Sequence, residues 1–160
     1  TGRIINILYL VKEGLLDIPI LYLSRYINQH KSDYYRLLQK VRNENAWEEW
    51  TLYILEGVIQ TSKQTIQTIK GIKDLMLKHK RIIRHELPKI YSQDLLNNLF
   101  RHPYTKIEFV MDELSVSRPT ATKYLDELEL IGIVNKHKIW KDNYYVNGEL
   151  FELLQNTGRP

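Results

Sequence analysis

The sequence predicts a mainly α-helical protein: a set of short helices, one long connecting helix, and a compact tail of three helices followed by a small β-hairpin. Three observations carry this. Apolar residues recur at three-and-four spacing through most of the chain, and the pattern runs unbroken from about Trp47 to about His85. Near the C-terminus a three-residue turn, Ser115-Val116-Ser117, separates two amphipathic segments. Two β-prone runs, 133–136 and 143–146, then bracket Trp140-Lys141-Asp142.

In chain order, Ile4, Ile5, Leu8 and Val11 give the first helix its face, and Gly14 stands where it would stop. Asp17-Ile18-Pro19 is a turn with Pro placed to start a second helix, with Leu21, Leu23, Tyr26 and Ile27 as its apolar side. Ser32 is the expected cap of a third helix with Tyr35, Leu38 and Val41 on one face, broken by Asn43-Glu44-Asn45. The long helix carries apolar residues at 52, 55, 59, 66, 69, 76 and 83, a seam too patchy for a free coiled coil. Lys78-His79-Lys80-Arg81 and Arg84 read as its solvated charged face, with a nucleic-acid patch as the rival. Pro88 closes the segment, so the expected domains are 1–87 and 88–160.

In the tail, Ser92 caps a helix bearing Leu95, Leu96, Leu99 and Phe100 that stops at Pro103. Thr105-Lys106-Ile107-Glu108 has the form of a capping box, followed by Val110, Met111 and Leu114 on one face. Ser117 caps the next helix, with Pro119 in its first turn, Ala121, Tyr124, Leu125, Leu128 and Ile131 inward, and Gly132 at its end. With the hairpin as a wing and a closing helix from Glu149 to Leu154, these elements spell a winged helix-turn-helix.

With 160 residues, 43% hydrophobic and 26% charged, the chain can bury a core. No apolar stretch approaches the roughly 20 residues of a membrane-spanning helix, so no membrane partner is expected. Zero cysteines exclude disulfides and thiolate metal sites and suit a reducing cytoplasm. Five scattered histidines show no ligand spacing. Residues 1–91 hold 15 Lys+Arg against 9 Asp+Glu, whereas residues 92–160 hold 8 against 10. The basic excess therefore lies upstream of the tail, although a duplex-binding domain needs it locally to displace counterions.

Candidate site residues fall in three groups. Glu48-Glu49 beside Trp47 and Trp50 read as helix-start acids favoured by the dipole rather than as a catalytic pair. Tyr22, Tyr26, Tyr34, Tyr35, Trp47, Trp50 and Tyr53 read as packing between short helices, with a target-protein groove as the rival. In the tail, Arg118, Thr122 and Lys123 on the third helix and Lys136, Lys138 and Lys141 on the wing are the candidate nucleic-acid contacts. Asp126, Glu127 and Glu129 on the same helix oppose them.

The opening Thr1-Gly2-Arg3, the stretches Leu21-Tyr22-Leu23-Ser24-Arg25-Tyr26-Ile27 and Tyr34-Tyr35-Arg36-Leu37-Leu38, and the tail with Ser117-Arg118-Pro119-Thr120-Ala121-Thr122-Lys123-Tyr124-Leu125 together resemble the C-terminal half of a Fic-family protein with a winged-helix tail. That family is marked by H-P-F-x-D-G-N-G-R-x-x-R. The chain would begin inside the motif, with Thr1 and Gly2 in its variable places and Arg3 as its last arginine. The resemblance implies a protein adenylyltransferase moving AMP from ATP, with Mg, to a hydroxyl of a target protein. It implies phosphate contact at Gly2 and Arg3, no catalytic residue in this chain, and no cofactor or activity for the chain alone. A homodimer is a further expectation. The rival class is a DNA-binding transcriptional regulator whose helical part dimerises; against it, the tail's charge predicts weak, non-specific duplex binding.

Overall fold

The computed structural model describes residues 2–17 and 22–158. The expectations for Pro19 and Leu21 lie outside the described residues. The chain forms two compact units, one up to Gln67 and one from Thr68 onward. The division falls inside the longest helix, upstream of the 87/88 boundary read from Pro88, because the last turns of that helix supply core residues to the C-terminal unit.

In the first unit, α1 (Gly2–Lys12) ends as Gly14 adopts φ +69°, with Gly14 N–H bonding the Val11 carbonyl and Leu15 N–H that of Leu10. Helix α2 (Leu23–Gln29) buries Leu23 and Ile27. Helix α3 (Lys31–Glu44) starts one residue before Ser32, with His30 at the cap position and no side-chain cap, so Ser32 is not its cap. Its buried residue is Leu37, while Tyr35 and Leu38 are exposed. The inward face runs through Tyr34 because that ring packs on Trp50 and Tyr53, at centroid distances of 5.2 and 6.4 Å. Asn45, at φ 56°, ends the helix as expected.

Helix α4 (Trp47–Glu86) is 40 residues long and continuous. Its expected seam is corrected by the structure: Leu52, Leu55, Ile59, Ile66 and Ile69 are exposed, and the covered line runs through Gly57 and Thr61, then Leu75, His79 and Ile83. Small residues sit inside because the crossing is close. A Cβ on Gly57 would stand 2.7 Å from Tyr26 Cδ1 and 2.9 Å from Leu23 Cδ1.

The second unit builds its core from Ile83, Leu95, Leu96, Leu99, Val110, Ala121, Leu125, Leu128, Val134 and Tyr145. Helix α5 (Gln93–Arg101) is capped by Ser92, whose Oγ accepts from Leu95 N–H at 3.0 Å. The sequence misses β1 (Tyr104–Thr105), which pairs antiparallel with the last strand, β3 (Asp142–Val146). Thr105 is therefore not the cap of α6 (Ile107–Leu114); that position is Lys106, and the Thr105 hydroxyl donates to Asn98 Oδ1 at 2.6 Å. Helix α7 (Arg118–Leu130) buries Ala121, Leu125 and Leu128 as expected. Ser117 precedes it without capping its backbone, its Oγ instead meeting Thr120 Oγ1 at 2.9 Å. Gly132, at φ +75°, releases the chain into β2 (Asn135–Ile139) and β3 (Asp142–Val146), joined through Trp140 at φ 57°. The sheet order is β1-β3-β2. Ile133 and Val134 enter the core rather than the strand, and α8 (Gly148–Gly158) closes the unit.

Two stability outcomes follow. Leu125→Ala should cost about 2–5 kcal/mol in thermal or urea unfolding of the C-terminal unit, since Leu125 is fully buried at the centre of α7. Gly57→Ala, which in an open helix would gain about 1 kcal/mol, should instead destabilise the first unit, because overpacking costs about 1–3 kcal/mol. A net gain in urea unfolding would show that the α2–α4 crossing opens freely.

Candidate functional site

Helix α7 is held against α6 at one end and against the hairpin at the other, and both attachments consume its charges. Arg118, at its N-terminus, reaches Glu108 of α6 at 3.0 Å. Lys123 lies 3.8 Å from Glu127 one turn along. The Thr122 hydroxyl donates to the Arg118 carbonyl at 2.9 Å. From the hairpin, Lys136 Nζ donates to Asp126 Oδ1 at 2.8 Å, and the backbone N–H of Lys136 donates to Glu129 at 3.1 Å. Tyr145 Oη adds a third bond, to Asp126 Oδ1 at 3.0 Å.

These bonds set the electrostatics of the face. Hydrogen bonding from Lys136, and then from Tyr145, holds the Asp126 carboxyl below its ordinary range against the opposing effect of desolvation. Reciprocally, the bond to Asp126 raises Lys136 above the usual lysine value. Lys138 and Lys141 are exposed and make no ion pair among the described residues. The structure therefore brings Arg118, Lys123 and Lys136 into pairs with neighbouring acids and leaves two hairpin lysines as open cations. Leu130 and Trp140 add exposed apolar surface, at 86% and 94% of their full accessibility.

Of the phosphate contacts, Gly2 begins α1, and the Arg3 side chain lies outside the described residues. In the same unit, Tyr26, Tyr34, Trp50 and Tyr53 pack on one another at centroid distances of 5.2–6.4 Å, a packing cluster between α2, α3 and the start of α4. Beside it, Ile5, Tyr9, Leu10, Trp50, Ile54 and Val58 border an apolar groove of about 510 Å³. Glu49 is spent on Lys40 at 3.0 Å. Among the described residues no group of His, Asp or Glu assembles that could hold a metal.

His79 departs most from its sequence reading. Rather than standing on a solvated face, it is fully buried, edge-on to Phe100 at 5.4 Å, and neither ring nitrogen has a hydrogen-bond partner among the described residues. Glu149 of α8 lies 3.5 Å from Nε2, a charged neighbour without hydrogen-bond alignment, and is itself paired with Lys78 at 2.5 Å. The signal was present in the spacing: 75, 79 and 83 form one i, i+4 line, which the flanking Lys78, Lys80 and Arg81 obscured.

The C-terminal unit is thus a small helical module with a three-stranded sheet, its outward helix self-neutralised by ion pairs. Residues 75–150 match the family model described as the C-terminal domain of SoFic-like protein adenylyltransferase. Over this stretch the chain is similar to the C-terminal domain of SoFic-like members of the Fic family, which supports a Fic-family C-terminal part.

Burial lowers the His79 pKa from its ordinary 6.5, outweighing Glu149, which favours the charged form; Lys78 adds to the lowering. The unfolded chain therefore binds more protons than the folded one as pH drops below 6.5. The stability associated with neutral His79 is full above that value and declines toward the folded pKa. Melting temperatures measured from about pH 7 down to about pH 5 should fall. His79→Leu should flatten that window, and an unchanged slope would place the titration elsewhere.

Proposed function

We propose that this chain is the C-terminal part of a Fic-type protein adenylyltransferase, a cytoplasmic enzyme moving AMP from ATP to a hydroxyl of a target protein, and that its C-terminal unit is a winged-helix module that engages protein rather than DNA. The family match over residues 75–150 supports the first part. The observation that carries the second is the pairing of Arg118, Lys123 and Lys136 with Glu108, Glu127 and Asp126 on and beside α7. A recognition helix presented to phosphate needs those cations unspent. Here only Lys138 and Lys141 remain, next to the exposed Trp140. In this reading the general base and the metal-holding acid belong to a preceding part of the enzyme, with Gly2 and Arg3 adding phosphate contacts at the start of α1. ATP and Mg are then needed by the whole enzyme and not by this chain.

Radiolabelled ATP should label protein when supplied to the enzyme containing the His-Pro-Phe motif, and should leave no label with this chain alone. Robust transfer by this chain would overturn the division of labour. Duplex binding, measured by fluorescence anisotropy, should lie at about 10–100 micromolar at physiological salt, without sequence preference. With two open lysines, the log-log salt slope should be about −1.8. A nanomolar site abolished by Arg118→Ala would instead favour the DNA-binding regulator.

A further inference from the structure

On the C-terminal unit, the end of α5, β1 and α6 enclose a cleft of about 410 Å³. One side is aromatic. Tyr104 lies beside His102, stacked at a centroid distance of 6.2 Å, and beside Phe109 at 6.4 Å, and the rings of Tyr104 and Phe109 are both exposed. The other side is acidic, formed by Asp112 and Glu113 of α6.

These two carboxylates are not equivalent. Glu113 accepts from Arg101 Nη1 at 2.7 Å and from Nδ2 of Asn98, a buried side chain that the Thr105 hydroxyl holds from its other end. That network braces the acidic side against β1. Asp112 is exposed and makes no side-chain hydrogen bond or ion pair among the described residues.

A carboxylate facing aromatic surfaces favours a cation, since ring faces carry negative potential and the carboxylate adds charge. The same ring cluster already holds one cation: Lys106 Nζ stands 4.3 Å above Tyr144, whose ring is 5.5 Å from Tyr104. Between the two natural cationic side chains, the planar guanidinium suits the cleft better, because it can stack on a ring while its fork of donors meets a carboxylate. The geometry points to this cleft as a docking site for an arginine side chain of a partner protein, stacked on Tyr104 and Phe109 and hydrogen-bonded to Asp112. This rests on reading the C-terminal unit as a protein-interaction module, and gives that module a partner chemistry.

The test is an amide NMR titration of the 160-residue chain with an acetylated, amidated Gly-Gly-Arg-Gly-Gly peptide and with its citrulline counterpart, which keeps the shape and loses the charge. The arginine peptide should shift the amides of Tyr104, Phe109 and Asp112 and bind about tenfold tighter than the citrulline one, the scale of a cation held by a ring and a carboxylate. Asp112→Asn, at an exposed position that leaves the fold intact, should remove most of that preference. Tyr104→Leu should weaken the arginine peptide severalfold, with a control spectrum confirming the hairpin. Equal binding of the two peptides, shifts confined to other elements, or an unchanged preference in Asp112→Asn would overturn the proposal. Those results would leave the interaction-module reading in place, which tight sequence-specific duplex binding at α7 would overturn instead.

Discussion

Asp126 accepts hydrogen bonds from Lys136 Nζ and from the hydroxyl of Tyr145, whose ring is fully buried, and through these two bonds the hairpin is fastened to α7. An ion pair as open as this one contributes no more than about 1 kcal/mol. Its consequence is therefore geometric more than energetic. It commits the first lysine of the hairpin to the protein's own acid, and with Glu129 holding the Lys136 backbone it sets the register at which β2 leaves the core. Because Tyr145 also pairs with Thr105 across the sheet, the same point fixes β1, and with it the aromatic side of the α5–α6 cleft.

A second constraint acts along α4. Where the helix crosses α2, Gly57 lies beneath Tyr26 and Leu23, and Thr61 next in line turns its hydroxyl back to the Gly57 carbonyl at 2.5 Å, satisfying a buried polar group without a partner helix. Further along, Leu75, His79 and Ile83 take over as the covered line. Each unit thus covers its own stretch of the helix by different means, close approach in the first and apolar burial in the second. The exposed isoleucines and leucines between them are displaced to the opposite side.

The tail was the most legible part of the sequence, because its local signals agree with its packing. Ser92 caps, Gly132 turns at positive φ, and Ala121, Leu125 and Leu128 go inward. Where readings failed, local pattern competed with tertiary pairing. Thr105 looks like a cap until β3 supplies a strand for it, and two residues are too few to show strand alternation. Leu52, Leu55 and Ile59 look like a buried stripe, yet the crossing selects for small side chains, which periodicity of apolar residues does not register. His79 was hidden by its basic neighbours. Of the candidate site, the residue types on α7 and the hairpin were legible; their mutual pairing was not, since Glu108 and Arg118 or Asp126 and Lys136 meet only once the turn and hairpin have formed.

Net charge alone does not describe this unit, because the distribution of partners adds what the sum leaves out. On α7, acids and bases of comparable number cancel pair by pair, leaving a face with little field to steer a polyanion. On the α5–α6 side, Glu113 is neutralised by Arg101 while Asp112 is left over beside exposed rings. A buried amide supports that division: Asn98, which lines the cleft, ties Glu113 to Thr105. Two surfaces of one small module thus differ in what they attract, although they share the same sheet. The helix pairs its cations with neighbouring acids, and the braced cleft retains one uncommitted negative charge in an aromatic setting.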